Sequence, residues 1–279
     1  MILRIIMQIS AELTKKLDLL KSFLKEKKII VAFSGGVDSS LLAYLSNRFA
    51  SQTLLLTAKS ILNPIDEIEG AKQFADKFKI PYREIIVNPL RNEDFVRNPK
   101  DRCYICKKEL FSKFVEIKQD ENYDIVIDGS NVDDLVDFRP GIKALEELRI
   151  VSPYISLDIN KQDIRDLSQY FNLETYSKTS EACLASRIPY SQKISEEKLH
   201  MISKAEKFLK KQFNLTQLRV RYHEDRLARI ELLSNEISKI LNQKSLIEIR
   251  EKLKELGFVY VTIDVEGFRS GSLNETLNQ

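Results

Sequence analysis

The segment that most constrains the fold is Ser34-Gly35-Gly36-Val37-Asp38-Ser39-Ser40, which directly follows the apolar run Ile29-Ile30-Val31-Ala32-Phe33. A β-rich run that ends in two glycines and precedes a second apolar run predicts a strand, a tight loop and a helix. The glycines allow the backbone to approach an anion closely. The helix directs its unpaired N–H groups and its positive end at the same point. The segment is therefore predicted to bind pyrophosphate.

The loop differs from two common phosphate-binding loops. It lacks the lysine of the Walker A loop, and its glycines are spaced more closely than those of the dinucleotide loop. The pattern Ser-Gly-Gly-x-Asp-Ser resembles the PP-loop of the ATP pyrophosphatases, which split ATP into AMP and pyrophosphate. The alternative is an ordinary βα turn rich in glycine and serine.

This resemblance implies ATP as a cofactor and Mg²⁺ as its counter-ion, which Asp38 would help to position on the phosphates. Asp38 also suits an N-cap role at the start of the helix, and the two roles are compatible. The residues expected to bind ATP are Ser34, Gly35, Gly36, Val37, Asp38, Ser39 and Ala58.

Strand and helix patterns alternate through the first two thirds of the chain. After the first strand, further strands are predicted at 53–58, 82–87, 123–127 and 150–155, with helices at 11–25 and 161–171. This order predicts an α/β fold with a doubly wound parallel sheet. The resemblance of the loop implies that the fold is of the ATP pyrophosphatase or adenine nucleotide α-hydrolase-like type. Ligands of such sheets lie beyond the carboxyl ends of the strands, so residues 34–39, 58–60 and 128–131 are expected to face one crevice.

The pattern changes after the loop that holds residues 179–189. Helices are predicted at 196–213 and 246–256, and strands at 217–223, 227–233 and 258–265. We therefore predict a PP-loop domain over residues 1–190. A smaller α/β domain over residues 191–279 would serve substrate binding or oligomerisation.

Composition excludes several classes of function. Of the 279 residues, 43% are hydrophobic and 30% charged, and the net charge of +3 favours neither nucleic-acid wrapping nor membrane attachment. No apolar stretch approaches the ~20 residues of a membrane helix. The opening segment to Met7 is too short for a signal peptide, and Met7 is an alternative start. The expected location is the cytoplasm.

The three cysteines form an odd set, which argues against a disulfide framework. Cys103 and Cys106 form a Cys-x-x-Cys pair that can bind one metal centre, and Cys183 follows much later. Three thiolates are too few for a closed zinc site but would hold a [4Fe–4S] cluster with one open iron. The alternatives are Cys183 as nucleophile or sulfur donor, a redox pair of Cys103 and Cys106, or three small buried residues.

Several segments together resemble one PP-loop branch, the LarE-type sulfur transferases, over nearly the whole chain. They are the PP-loop, Pro99–Lys107, Asp128–Gly141, Glu181–Tyr190, Arg219–His223 and Gly267–Ser272. The resemblance implies ATP-dependent sulfur transfer in the biosynthesis of a nickel-pincer cofactor. In that reaction the carboxylates of pyridinium-3,5-biscarboxylic acid mononucleotide are adenylated and converted to thiocarboxylates.

This family has two chemical versions. In one, a cysteine matching Cys183 gives up its own sulfur. In the other, cysteines matching Cys103, Cys106 and Cys183 hold a [4Fe–4S] cluster that relays sulfide, and we favour this version because all three are present. The resemblance also implies a sulfide donor, a homo-oligomer, and binding of the substrate phosphate by Arg219 and Arg221, with Arg187 in support. The alternative for the strand arginines is a solvent-facing position.

Three other functions remain open. A PP-loop tRNA thiolase would use a three-cysteine cluster, but the near-neutral charge makes nucleic acid an unfavoured partner. An amidating ligase would share the loop and need no cysteine. A non-catalytic adenine-nucleotide sensor would bind ATP without splitting it, and its cysteines would hold a structural metal.

Overall fold

The computed structural model describes residues 9–63, 65–135, 140–179, 182–269 and 271–277. The chain divides into two compact units. The first lies within Met1–Ser60, Ile65–Asn88 and Asp101–Glu181, and the second within Ile61–Pro64, Pro89–Lys100 and Ala182–Gln279. Two short segments from within the first 100 residues thus belong to the second unit. The domain boundary after residue 190 stays a prediction.

The first unit alternates strands with helices. Its strands are β1 (Lys28–Ala32), β2 (Gln52–Lys59), β3 (Tyr82–Ile86) and β4 (Ile125–Ile127). Its helices are α1 (Ala11–Leu24), α2 (Val37–Phe49), α3 (Ile65–Phe78), α5 (Arg102–Asp120), α6 (Gly141–Glu147), α7 (Pro153–Ser156) and α8 (Lys161–Tyr170), while the short α4 (Glu93–Val96) lies in the second unit.

The four strands form a parallel sheet in the order β3-β2-β1-β4. Successive residues of β1 point to opposite faces, and each face is buried. Ile29 and Val31 pack in a core with α1, α2, α3 and α8, whereas Ile30 packs in a second core with α5 and α6. The predicted α/β fold with helices on both faces of a parallel sheet is confirmed.

The order of the strands places a switch point between β1 and β4. The chain moves from β1 outward through β2 to β3, and then returns to the other side of β1 to form β4. The helices that follow β1 and β4 diverge at such a point, and the crevice between the strand ends is where ligands bind in open α/β sheets.

The predicted fifth strand is wrong beyond one residue. Val151 forms a single parallel bridge to Ile127, and α7 then begins at Pro153. Proline has no N–H to donate to a ladder, and its fixed φ suits the first turn of a helix. The pairing therefore stops where the proline begins α7.

The second unit contains β5 (Leu218–His223), β6 (Leu227–Leu232), β7 (Tyr260–Ile263), α9 (Glu196–Phe213) and α10 (Gln243–Glu255). β6 pairs antiparallel with β5 and parallel with β7. Leu218, Val220 and Tyr222 alternate along β5 with arginines at 219 and 221, and all five of these side chains are buried. One face of the sheet is thus apolar, and the other buries charge. None of the described helices is long and apolar enough to cross a membrane.

Candidate active site

The loop after β1 depends on two glycines. Gly35 has a φ of +71°, in the left-handed region that favours glycine. A Cβ atom here would lie 3.1 Å from the Cβ and 3.2 Å from the Cα of Ala71, so α3 leaves no room for a side chain. Gly36 is the N-cap residue of α2. The loop therefore leads directly into a helix N-terminus, whose first N–H groups have no acceptor within the helix.

Two serine side chains form hydrogen bonds across this loop. The Oγ atoms of Ser34 and Ser39 are 3.1 Å apart, and Ser39 Oγ donates to the Gly36 carbonyl at 3.3 Å. Ser34 Oγ accepts the N–H of Gly36 at 3.4 Å. Backbone amides and hydroxyl donors are thus gathered at the start of α2, which is the arrangement that binds phosphate oxygens.

Asp38, in the first turn of α2, carries the negative charge of this site. Lys161 donates to both of its carboxylate oxygens, with Nζ 2.7 Å from Oδ1 and 2.5 Å from Oδ2. The Tyr154 hydroxyl donates to the Asp38 carbonyl at 3.1 Å and so fixes the backbone of the turn. Burial raises the pKa of Asp38, and this effect outweighs the lowering by the charge and hydrogen bond of Lys161.

The loop after β4 lies against the same turn. A Cβ atom at Gly129 would lie 3.1 Å from the Cβ of Asp38 and 3.1 Å from the Ser39 nitrogen. Asp128 is buried and accepts the hydroxyls of Ser130 and Ser152, each at 2.5 Å. The loops after two neighbouring parallel strands therefore meet at the switch point. Glycine at 129 allows their close approach.

Lys161 is a site residue that sequence reasoning missed. It is the first residue of α8, after the N-cap Asn160, whose side chain and that of Asp163 form a capping box. The Lys161 backbone N–H donates to Asp133 at 2.8 Å. A signal was present, because a lysine at the positive end of a helix opposes the helix dipole and needs another reason for its position.

Lys178 also reaches the loop. Its Nζ donates to the Gly35 carbonyl at 3.0 Å. Sequence reasoning missed this contact as well. Two lysines from the later part of this unit therefore contact the loop after β1, one at its backbone and one at Asp38.

Ala58 lies near the carboxyl end of β2, the strand beside β1, where it is half-buried and pairs in register with Ile85. Because the two strands are parallel, their carboxyl ends share an edge of the sheet. Its predicted contact with ATP remains a prediction.

The carboxylate oxygens of Asp38 are of the kind that Mg²⁺ prefers. Asn131 Nδ2 donates to Asp38 Oδ1 at 3.5 Å, so this side chain presents its amide nitrogen to the carboxylate. Among the residues that the structure describes, no three His, Cys, Asp or Glu side chains form a group able to hold a metal ion. Mg²⁺ commonly takes only one or two carboxylates and completes its shell with water and substrate phosphates, so a single aspartate fits this ion.

Cys103 and Cys106 lie in the first two turns of α5, three residues apart and hence on one face of the helix. Cys103 is exposed and Cys106 half-buried. Gly141, at the start of α6, packs against this part of α5. A Cβ atom at Gly141 would lie 2.7 Å from Cδ of Lys107. The pair suits two bonds to one metal centre.

Cys183 lies in the second unit, is exposed, and directly precedes a short 3₁₀-helix at Leu184–Arg187. As stated above, the described residues contain no group of three metal-binding side chains. The [4Fe–4S] cluster on Cys103, Cys106 and Cys183 therefore stays a prediction.

The guanidinium group of Arg187 is fully buried beside a carboxylate. Its Nε and Nη2 donate to Glu206 Oε1 at 2.8 Å and Oε2 at 3.1 Å. Burial would raise the pKa of Glu206, but the charge and hydrogen bonds of Arg187 and the N–H of Val220 lower it. Arg187 also donates to the carbonyl of Cys183 at 3.2 Å, so this ion pair holds the segment that carries the third cysteine.

Arg221 is part of a second buried network. Its Nε and Nη2 donate to Glu231 Oε2 at 3.0 and 2.8 Å, and its Nη1 donates to the Ser186 carbonyl at 2.8 Å. Ser272 donates to Glu231 at 2.7 Å. The guanidinium of Arg219 lies 5.3 Å from the ring centre of Phe268. Arg219 and Arg221 are each 5% exposed, so the solvent-facing alternative is wrong.

The parallel sheet, its glycine loop and the charged turn of α2 give the first unit an α/β architecture that is compatible with a nucleotide-binding fold. The family of unknown function DUF7411 matches residues 27–196. A pyridinium-3,5-bisthiocarboxylic acid mononucleotide synthase of Lactiplantibacillus plantarum is 31% identical over 268 residues, which are 95% of this chain and 96% of that protein. The chain belongs to the LarE family, as the sequence motifs had predicted.

Other relatives match to different extents. An uncharacterised protein of Synechocystis sp. is 38% identical over 96% of this chain and 100% of its own length. An argininosuccinate synthase of Nitrosomonas europaea is 31% identical over 50% of this chain and 38% of its own length. The argininosuccinate synthase thus shares only part of the chain, whereas the LarE relative spans nearly all of it.

Proposed function

We propose that the protein is an ATP-dependent sulfur transferase that converts the carboxylates of pyridinium-3,5-biscarboxylic acid mononucleotide into thiocarboxylates. The observation that carries the proposal is the match over 95% of the chain to a synthase of the corresponding bisthiocarboxylic acid mononucleotide. The loop at residues 34–39 supports it, since its donors suit pyrophosphate.

The first half of the reaction is adenylation. A substrate carboxylate oxygen attacks the α-phosphorus of ATP, the bond to the β-phosphate oxygen breaks, and pyrophosphate leaves into the loop after β1. Asp38 would hold Mg²⁺, which neutralises phosphate charge when bound. The amides at the start of α2 and the ammonium groups of Lys161 and Lys178 then stabilise the remaining negative charge.

The second half replaces oxygen by sulfur. AMP is a good leaving group, so a sulfur nucleophile attacks the acyl carbon and expels AMP. If Cys183 is the donor, its thiolate forms a thioester, a base removes the Cys183 α-proton, and the thiocarboxylate leaves dehydroalanine in the chain. The exposure of Cys183 suits this role.

In the cluster version, Cys103, Cys106 and Cys183 would hold a [4Fe–4S] cluster whose open iron supplies a site for sulfide. The same-face placement of the first two thiols on α5 supports this version. We further propose that Arg219 binds the substrate phosphate, because guanidinium groups pair with phosphate through two parallel hydrogen bonds. Arg221 and Arg187 would support it by holding the surrounding backbone, since Glu231 and Glu206 already occupy their guanidinium groups.

The division between the two halves can be tested with two variants. Asp38→Asn is expected to lower substrate-dependent pyrophosphate release by roughly 10²–10³-fold, since a charge at the phosphates is lost. Cys183→Ala is expected to retain pyrophosphate release within about twofold while thiocarboxylate formation, followed by mass spectrometry, stops. Loss of both activities in a folded Cys183→Ala protein would contradict this division of labour.

The source of sulfur can be read from the same preparation. Protein purified without oxygen would contain about four irons and four acid-labile sulfides per chain in the cluster version. In the sacrificial version it would be iron-free and would lose the mass of one H₂S in a single turnover.

Salt-sensitive binding of tRNA, with no activity on the mononucleotide, would instead favour the thiolase alternative.

A further inference from the structure

The contact between Lys161 and Asp38 places a cation where the metal of a nucleotide site would bind. Nζ lies 2.7 and 2.5 Å from the two carboxylate oxygens, so the ammonium group bridges both. The side chains are 29% and 24% exposed, which leaves the pair open to exchange with solvent. A divalent cation bound to Asp38 would compete with the ammonium group for the same oxygens.

The position of Lys161 is not required by its own helix. The N-terminus of α8 is closed by the capping box of Asn160 and Asp163, and the Lys161 N–H is bound by Asp133. A lysine at this end is disfavoured by the helix dipole. The position therefore favours an anionic partner for the ammonium group, which binds the Asp38 carboxylate.

Several positive groups meet at this loop. The N-terminus of α2, Lys161 and Lys178 all contact residues 35–38, and Asp38 supplies the carboxylate within that segment. Once a metal ion is bound to Asp38, the ammonium group of Lys161 would lose its partner. A triphosphate would supply the missing negative charge at the same place.

We propose that Lys161 is a phosphate-binding residue held on Asp38 until nucleotide and metal arrive together. Without nucleotide it blocks metal binding to Asp38. With metal-bound ATP it moves from the carboxylate to the phosphate oxygens. The inference rests on the proposed function only in taking ATP as the ligand, and no sulfur chemistry enters it.

The test combines two binding measurements on Lys161→Gln. Binding of Mn²⁺ without nucleotide, followed by electron paramagnetic resonance, is expected to tighten about tenfold because the competing ammonium is gone. Binding of a non-hydrolysable ATP analogue with Mg²⁺, measured by calorimetry, is expected to weaken about tenfold. Adding Asp38→Asn should abolish the gain in Mn²⁺ affinity.

Lys16→Gln is the matched control. Lys16 forms a comparable partly buried pair with Asp163 of α8, with Nζ 2.9 Å from Oδ2 and side chains 15% and 19% exposed. This variant should change neither affinity. A merely structural role for Lys161 would move both affinities in the same direction, and that result would overturn the proposal.

The remaining outcomes separate this inference from the proposed function. Nucleotide affinity of Lys161→Gln within about twofold of the unsubstituted protein, with that protein binding ATP, would overturn the role of Lys161 alone. Failure of the unsubstituted protein to bind ATP would overturn both. Normal binding results without any thiocarboxylate product would leave Lys161 supported and refute the proposed sulfur transfer.

Discussion

The two units organise charge in different ways. Around the loop after β1, donors come from backbone amides, serine hydroxyls and a helix end, and the Asp38–Lys161 pair remains a quarter exposed. In the second unit, the pairs of Arg187 with Glu206 and of Arg221 with Glu231 are almost fully buried. The first arrangement leaves charge available to a ligand, whereas the second neutralises charge within the protein and fixes neighbouring backbone.

This difference predicts opposite costs of substitution. Buried pairs depend on both partners, because removing one leaves an uncompensated charge in a low-dielectric interior. A loop built from backbone groups depends instead on the conformation that its glycines allow. Substitutions of side-chain charge should therefore damage the second unit most, and substitutions of glycine should damage the loop of the first.

The largest effect is expected for Glu206→Gln. It leaves the fully buried guanidinium of Arg187 without a counter-charge and should lower the free energy of unfolding by about 3–5 kcal/mol. Urea unfolding followed by circular dichroism measures the change. The matched control is Glu255→Gln on α10, which breaks an exposed pair with Lys252 and should cost at most about 1 kcal/mol. Equal costs would show that burial of the pair is not what matters.

An intermediate effect is expected for Gly35→Ala. Its positive φ and the 3.1 Å approach of the Ala71 Cβ should cost about 1–2 kcal/mol and weaken ATP binding. Gly70→Ala, one residue before Ala71, is the control. A Cβ atom there meets nothing within 4 Å, and alanine in α3 should stabilise the helix by up to about 1 kcal/mol. If Gly35→Ala changed neither the free energy of unfolding nor ATP binding, the loop would tolerate a side chain. The contrast drawn between the two units would then be wrong.

The smallest effect concerns pH. Burial lowers the pKa of His223, and the charges of Arg229 and Arg221 lower it further. The unfolded chain therefore binds a proton more readily, and the free energy of unfolding should fall as pH drops through the ordinary histidine pKa of about 6.5. The loss ends once pH is below the folded-state pKa.

His223→Gln removes this titration and should flatten the pH dependence of urea unfolding in the range below neutral pH. Because Arg229 donates to the His223 ring at 3.1 Å, the folded state favours the neutral imidazole as an acceptor. An unchanged pH dependence in the variant would mean that His223 gains no proton preferentially on unfolding.

The sequence anticipated most regular elements because they follow local rules. α9 begins and ends at the predicted residues, since Ser195 caps its start and Asn214 takes a left-handed conformation at its end. The strands at β2, β3, β5 and β6 agree within one or two residues at each end. The predicted strand at 150–155 was wrong beyond Val151 because Pro153 begins a helix, and a stronger weight on that proline would have shown it.

The site residues also divide into those that follow local sequence patterns and those that depend on contacts between distant parts of the chain. Loop residues 34–39 could be read from the sequence because glycine spacing and the following helix lie within a few residues of one another. The contacts of Lys161 with Asp38 and of Lys178 with Gly35 join residues 123 and 143 positions apart, and no local pattern announces them. The arginines of β5 were predicted to bind substrate phosphate, but the pairing of Arg221 with Glu231 on the neighbouring strand was not foreseen.

By itself, the sequence determined the parallel α/β fold, the loop that leads into α2 and the membership of the LarE family, because each depends on short-range patterns or on overall similarity. Only the tertiary structure decided which charges meet. Parallel strands bring the loops after β1 and β4 together at the switch point, and the second unit buries Arg187 beside Glu206 and Arg221 beside Glu231. Burial then requires each of these charges to have a partner, and that requirement is satisfied in space rather than along the sequence.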